Sequence, residues 1–250
     1  MVTAYDYAMA VLAAESAVDC VLVGDSLAMV MHGKPSTIWA SDAVMALHTG
    51  AVAAAVDNKL VIADMPFLSF RKGPGRAMDS VEKLVRAGAQ AVKLEGLEGH
   101  EDVIRRMIDS DIPVMGHLGL TPQSIRKLGG YRTQGRDAAS AGRIFRQAVE
   151  LEKLGCFALV LECVPPGLAA KITAALKIPV IGIGAGPDTD GQVLVAHDLL
   201  GLCRSAPSFA KKYLDGRGLV VDALDRFDAE VKTSVFPESS VPAREKAARS

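Results

Sequence analysis

The sequence predicts an α/β chain folded as one (β/α)8 barrel. Three observations carry this. Short, nearly continuous apolar runs recur along the chain, as parallel strands covered on both faces require. Ala-rich stretches with helical spacing lie between them. The segments RAGAQAVKLEG and KLGCFALVLEC share one order of helix, glycine stop, buried strand and acidic exit, which is the repeating βα unit. Eight such units in 250 residues suit a closed barrel better than an open sheet.

The elements follow in order. Met1–Ala4 is expected as a short first strand and Tyr7–Ala17 as its helix. Cys20–Gly24 is the second strand, and the helix Asp42–Val56 has Ser41 or Asp42 as its N-cap. Leu60–Ala63 is the third strand, followed by the helix Gly75–Ala87, which Gly88 ends. Ala91–Leu94 and Glu101–Ser110 form the fourth unit. Pro113 stands before the fifth strand, Val114–His117, and Gly155 stops the helix Ala138–Leu154. Phe157–Leu161, Leu168–Leu176 and Val180–Ile183 give the sixth strand, its helix and the seventh strand, and Leu199–Cys203 is expected as the eighth strand. No linker-like composition breaks the chain before about Pro237. Residues 1–237 therefore read as one catalytic barrel and 238–250 as a polar tail, frayed or packed on a neighbour.

Composition excludes several functions. Lys plus Arg is 28 against 29 Asp plus Glu, a net charge of −1, so no basic excess exists to neutralise a phosphate backbone and no nucleic-acid role is expected. Half of the residues are hydrophobic and only 5% are aromatic, so the core is aliphatic. Mean hydropathy is positive, at +0.23. Yet the longest apolar stretches carry Asp6, Glu15, Asp19 and His48, and none supplies the roughly 18 uncharged residues of a spanning helix. No secretory signal is visible, which favours the cytoplasm. Cys20, Cys156, Cys163 and Cys203 have neither CxxC nor zinc spacing and read as reduced core thiols.

The residues that end the strands are the informative ones. The second strand exits into Asp25 and Ser26, the third into Asp64, the fifth at His117 and the sixth at Glu162. The fourth carries Lys93 and Glu95, two apart and so on one side of the strand. A lone Asp after a strand is most often a helix cap, and a lone His most often a hydrogen-bonded core residue. Five strand ends bearing such groups on one barrel rim read instead as a site, because barrel active sites lie there. Asp25, Asp64 and Glu95 are hard oxygen donors with no thiolate among them, which favours Mg2+ or another hard divalent ion, bound partly through water. That ion and Lys93 balance the three carboxylates. The neutral cluster can then take a 2-oxo acid, with Glu162 free to remove the proton next to its ketone.

The glycine run Gly182–Gly186 lacks the Lys-Ser/Thr of a phosphate loop, so close backbone approach to a substrate or a tight rim turn is the better reading. His32, His48, His100 and His197 read as structural or surface residues.

At these positions the chain resembles the ketopantoate hydroxymethyltransferases. The resemblance rests on TAYDY (Thr3–Tyr7), VLVGDSL (Val21–Leu27), ADMPF (Ala63–Phe67), AGAQAVKLEG (Ala87–Gly96), GHLGLTPQS (Gly116–Ser124), GGYRTQGR (Gly129–Arg136), LVLECVP (Leu159–Pro165) and IPVIGIGAG (Ile178–Gly186). It implies a barrel of the phosphoenolpyruvate/pyruvate type. It implies transfer of a hydroxymethyl group from 5,10-methylenetetrahydrofolate to 3-methyl-2-oxobutanoate, giving 2-dehydropantoate for pantothenate and coenzyme A synthesis. By the resemblance Asp25, Asp64 and Glu95 hold Mg2+, and Asp25, Ser26, Asp64 and Lys93 contact the oxo acid. Glu162 is the proton acceptor, and His117 is a pocket residue. A ring-shaped homo-oligomer, most often a decamer, is also implied, and the unusually apolar helices agree with faces buried between subunits.

Ala28 stands where the family usually has Gly, Gly50 where it has Arg, and Gly33–Ala40 departs from the usual rim pattern. Family members also carry a lead-in before TAYDY, so a clipped start or a missing lower cap on the barrel is expected here. Two other functions compete. A carbon–carbon lyase or mutase of the same barrel type would want a rim cysteine, and Gly116–Arg136 has none. A non-catalytic barrel would show loss of a ligand residue or of Glu162.

Overall fold

The computed structural model describes residues 1–237; the tail at 238–250 lies outside the described residues. Eight parallel strands pair in sequence order: β1 (Val2–Thr3), β2 (Cys20–Val23), β3 (Leu60–Asp64), β4 (Ala91–Glu95), β5 (Val114–Gly119), β6 (Ala158–Glu162), β7 (Val180–Ile183) and β8 (Gly191–Gln192). The sheet closes where Val2 bridges Leu194 and the Thr3 N–H donates to the Leu194 carbonyl at 3.2 Å. The expected barrel is therefore formed.

The helices are α1 (Tyr7–Glu15), α2 (Leu27–Val30), α3 (Asp42–Ala53), α4 (Pro74–Arg86), α5 (Glu101–Ile108), α6 (Ile125–Leu128), α7 (Ala138–Leu154), α8 (Pro166–Ala175), α9 (Ala196–Leu199) and α10 (Gly216–Lys232). Their starts follow capping chemistry. Asp6, Ser41 and Asp137 each accept a hydrogen bond from a first-turn N–H, so Ser41 rather than Asp42 caps α3. Gly155 ends α7 in the left-handed conformation.

Two differences from the sequence reading stand out. The eighth strand is Gly191–Gln192, not Leu199–Cys203, where the chain instead finishes α9 and turns. β8 pairs at Ile181↔Gly191 and Gly182↔Gln192, so Gly and Gln occupy it and it lacks the apolar run that marks the other strands. The second difference is α10, which the apolar pattern did not announce. Beyond Gly216 and Gly218 every residue of α10 is exposed, including Leu219, Val221, Leu224 and Phe227.

The core has two parts. Val21, Val23, Leu84, Ile104 and Leu151 pack between sheet and helices. Leu22, Ile62, Ala91, Met115, Ala158, Val160 and Val193 fill the barrel interior. Side chains alternate along a strand, so the interior parity of Ile62, Ala91, Met115 and Val160 passes to Asp64, Lys93, Glu95, His117 and Glu162. The polar residues are thus the top layer of the same inward-facing stack. Among the described residues no helix is long and apolar enough to cross a membrane.

Candidate active site

A cavity of about 940 Å3 opens at this end of the barrel, and Asp25, Ser26, Asp64, Lys93, Glu95, His117 and Glu162 all line it. The sequence-predicted residues are therefore brought together in full. The strand register aligns them: Asp64 stands beside Lys93, and Glu95 beside His117. Glu162 lies opposite Gly119, where the chain has a φ of +91° and an added Cβ would stand 2.2 Å from the Glu162 carbonyl oxygen. Only glycine lets β5 pass β6 there.

Asp25, Asp64, Lys93, Glu95 and His117 are buried, while Glu162 keeps 14% of its side chain exposed. Lys93 Nζ meets Asp64 Oδ1 at 2.7 Å as an ion pair. Burial alone would depress the Lys93 pKa, but Asp64, Asp25 and Glu95 outweigh it and the ammonium is stabilised. The carboxylates respond in the opposite sense. Burial first, then the Asp64 charge, raises Asp25 to about 7. Burial and Asp25 push Glu95 well above the carboxylate range, and burial raises Glu162 to about 8.

His117 lies between two of these acids. Its Nε2 is 3.1 Å from Glu162 Oε2, and its Nδ1 is 3.8 Å from Glu95 Oε1. Neither is a hydrogen bond: the first is within range but poorly aligned, and the second is too long. Burial, then the Lys93 charge, lowers the His117 pKa strongly, so the imidazole is neutral and these contacts are not salt bridges.

Two residues outside the expected set complete the site. Tyr5 hydrogen-bonds Ser26 through their hydroxyls at 2.8 Å, and burial raises its pKa so that it stays a phenol. Gln123, in the 3-10 turn Pro122–Ser124, binds two of the carboxylates: its side-chain Nε2 donates to Asp25 Oδ2 at 2.8 Å, and its backbone N–H donates to Glu95 Oε2 at 3.0 Å. Both residues lie inside quoted motifs, TAYDY and GHLGLTPQS, but nothing in their local pattern marks them as polar partners of strand ends far away.

The donor set fits a hard cation. Four carboxylates face one ammonium, and Asp64 Oδ1 is buried without an aligned hydrogen-bond donor. Among the described residues no three His, Cys, Asp or Glu side chains are drawn tightly enough to enclose a metal ion by themselves.

The remaining expectations resolve locally. In the glycine run, Gly184 has a φ of +59° and an added Cβ would meet Phe209 and Cys163, so the run makes a tight rim turn against neighbouring side chains. His32 and His48 pair through their Nε2 atoms at 2.9 Å. His100 packs on Phe70, and His197 on Tyr5. All four cysteines are free, but only Cys156 is buried; the other three are half-buried, and Cys163 and Cys203 line the cavity. Gly33, Lys34 and Thr37 of the divergent segment also line it.

The closed barrel has the same fold as several solved (β/α)8 barrels. A phosphonopyruvate hydrolase solved with oxalate and Mg2+ is similar over 97% of this chain and 86% of its own, with a TM-score of 0.63 and 13% identity. A 2,3-dimethylmalate lyase, a member of the PEP mutase/isocitrate lyase superfamily, is similar over 98% and 85%, with a TM-score of 0.62 and 16% identity. At such identity these neighbours show the fold alone. The ketopantoate hydroxymethyltransferase family model matches residues 1–239, and the chain belongs to that family of transferases. A 3-methyl-2-oxobutanoate hydroxymethyltransferase of Bdellovibrio bacteriovorus is 53% identical over 95% of this chain and 90% of its own. Those of Coxiella burnetii and Legionella pneumophila are 53% and 50% identical over 95% of this chain.

Proposed function

We propose that this enzyme transfers a hydroxymethyl group from 5,10-methylenetetrahydrofolate to 3-methyl-2-oxobutanoate, giving 2-dehydropantoate for pantothenate synthesis. The observation that supports the reading is the juxtaposition, in one cavity, of Asp25, Asp64, Lys93 and Glu95 with a separate carboxyl, Glu162, beside a neutral histidine. The cavity of about 940 Å3 is also large for a small oxo acid alone and leaves room for a second, larger reactant.

Asp25, Asp64 and Glu95 would hold Mg2+ or a similar divalent ion. When bound, such an ion supplies Lewis-acid polarisation of the 2-oxo acid. Asp25, Ser26 and Asp64 orient the oxo acid. Lys93 places its ammonium where negative charge develops on the ketone oxygen as C3 loses its proton. Glu162 Oε2 takes that proton, and burial makes it a stronger base than an exposed carboxylate. His117 stays neutral beside the Glu162 carboxyl, at 3.1 Å, and so does not lower its basicity. One water replaces both C–N bonds of the donor's methylene carbon, leaving tetrahydrofolate and a one-carbon unit at the aldehyde level. The C3 carbanion adds to that carbon, and the resulting alkoxide takes up the proton removed from C3, giving the hydroxymethylated oxo acid.

The same reading includes a homo-oligomer, with a decamer as the family's form. The uncovered apolar residues of α10 support association of subunits. The four free thiols support a reducing, cytoplasmic setting. Consumption of 3-methyl-2-oxobutanoate by purified protein, only when methylenetetrahydrofolate and a divalent ion are both present, tests the reaction. Turnover without the folate would overturn it in favour of a lyase or mutase.

A further inference from the structure

We infer that Gln123 is a positioning residue that sets which oxygens the carboxylates present to the cation, a role that rests on the metal reading proposed for this site. Gln123 is buried behind the acids rather than on the cavity wall. Its side-chain Nε2 donates to Asp25 Oδ2 at 2.8 Å and to the Met65 carbonyl at 2.9 Å. The Met65 carbonyl can only accept, and so can an ionised Asp25, so the amide presents its Nε2 to both and both of its protons are used. The Gln123 backbone N–H donates to Glu95 Oε2 at 3.0 Å. Asp64 Oδ2 accepts from the Asp25 backbone N–H at 3.0 Å. Each of the three acids thus gives one oxygen to an N–H of the scaffold. Asp25 Oδ1, Asp64 Oδ1 and Glu95 Oε1 remain for the ion, its water and Lys93.

One residue, on the turn after β5, thereby ties together the ends of β2, β3 and β4. Neither an apolar side chain nor a glutamate can replace it. The first leaves Asp25 Oδ2 and the Met65 carbonyl without donors, and the second sets a carboxylate against a carboxylate and a carbonyl. Outer partners that orient metal ligands are typically worth about 10–100-fold in metal affinity.

The test is Mn2+ binding, followed by electron paramagnetic resonance, on wild type, Gln123→Met and Gln123→Glu. Circular dichroism and thermal melts confirm which variants are folded. Gln123→Met should bind Mn2+ at least roughly tenfold more weakly than wild type, and Gln123→Glu more weakly still or in an altered spectral environment. Gln123→Asn keeps a donor on a shorter arm and should recover part of the loss. If Gln123→Met fails to fold, Gln123→Asn against Gln123→Glu carries the comparison. A role in stability alone would lower the melting temperature and leave the Mn2+ affinity of the folded protein within twofold of wild type, and that result overturns the inference. A wild type that binds no Mn2+ would remove the metal reading and this role together, whereas tight binding by wild type and Gln123→Met alike would remove only the role of Gln123.

Discussion

His117 Nε2 lies 3.1 Å from Glu162 Oε2, and burial keeps that imidazole neutral while it raises the carboxyl to about 8. The pair is a neutral contact, not a salt bridge. A charged histidine there would lower the basicity of Glu162, which the proposed reaction uses as its base; a neutral one leaves it high.

Glu162→Gln therefore separates binding from chemistry. The variant should retain metal and oxo-acid binding but lose turnover. Wild type, given a divalent ion and no folate, should exchange the C3 hydrogen of 3-methyl-2-oxobutanoate with deuterated water. The variant should do so at least about 100-fold more slowly, as proton NMR of the methine will report. Equal exchange rates would move the base elsewhere, to His117 or to hydroxide.

Asp64→Asn should weaken metal binding, oxo-acid binding and turnover together. One oxygen of Asp64 faces Lys93 and the other accepts the Asp25 N–H, so this side chain joins ammonium and scaffold at the place where the proposed ion would bind. Titration calorimetry with Mg2+, and then with the oxo acid, reads both losses. Full activity of wild type after exhaustive chelation would sink the chelate.

The pKa shifts predict how stability depends on pH. Asp25 at about 7, Glu162 at about 8 and the raised Glu95 all hold protons in the folded chain that the unfolded chain releases near pH 4. The lowered pKa values of His117, His100 and His197 oppose this up to about pH 6.5; above that the folded state binds more protons, so metal-free stability falls as pH rises from about 6.5 to 8. The depressed carboxyls of Asp137 and Asp215 act in the opposite sense, but only below about pH 4. Bound Mg2+ favours the ionised acids, so its stabilising effect should be larger at pH 8 than at pH 6.5. Differential scanning fluorimetry at the two pH values, with and without Mg2+, measures it. A metal-free melting temperature that climbs over this range contradicts the shifts.

Light scattering should give a mass that is a multiple of the 26.3 kDa chain. Leu224 and Phe227 are 62% and 54% exposed on α10. Leu224→Asp with Phe227→Asp should shift the mass toward smaller species with the barrel still folded. A wild type that runs as a single 26.3 kDa species counts against the assembly.

The sequence by itself determined the barrel and the identity of the acids. Local pattern encodes what neighbours along the chain do: the two-residue spacing of Lys93 and Glu95 puts both inside, and an acid or histidine at the end of an apolar run lands on the rim. Caps at Ser41 and Gly155 were legible for the same reason. Tertiary structure decided what depends on distant partners. Gln123 reaches Asp25 across 98 residues, and β8 is a strand because β7 pairs with it, not because of its own composition. Nor could composition tell a neutral His117 from a charged one, or a carboxyl at about 8 from one near 4, since burial and neighbouring charge set those states. Both arise only when the strand ends close around one cavity.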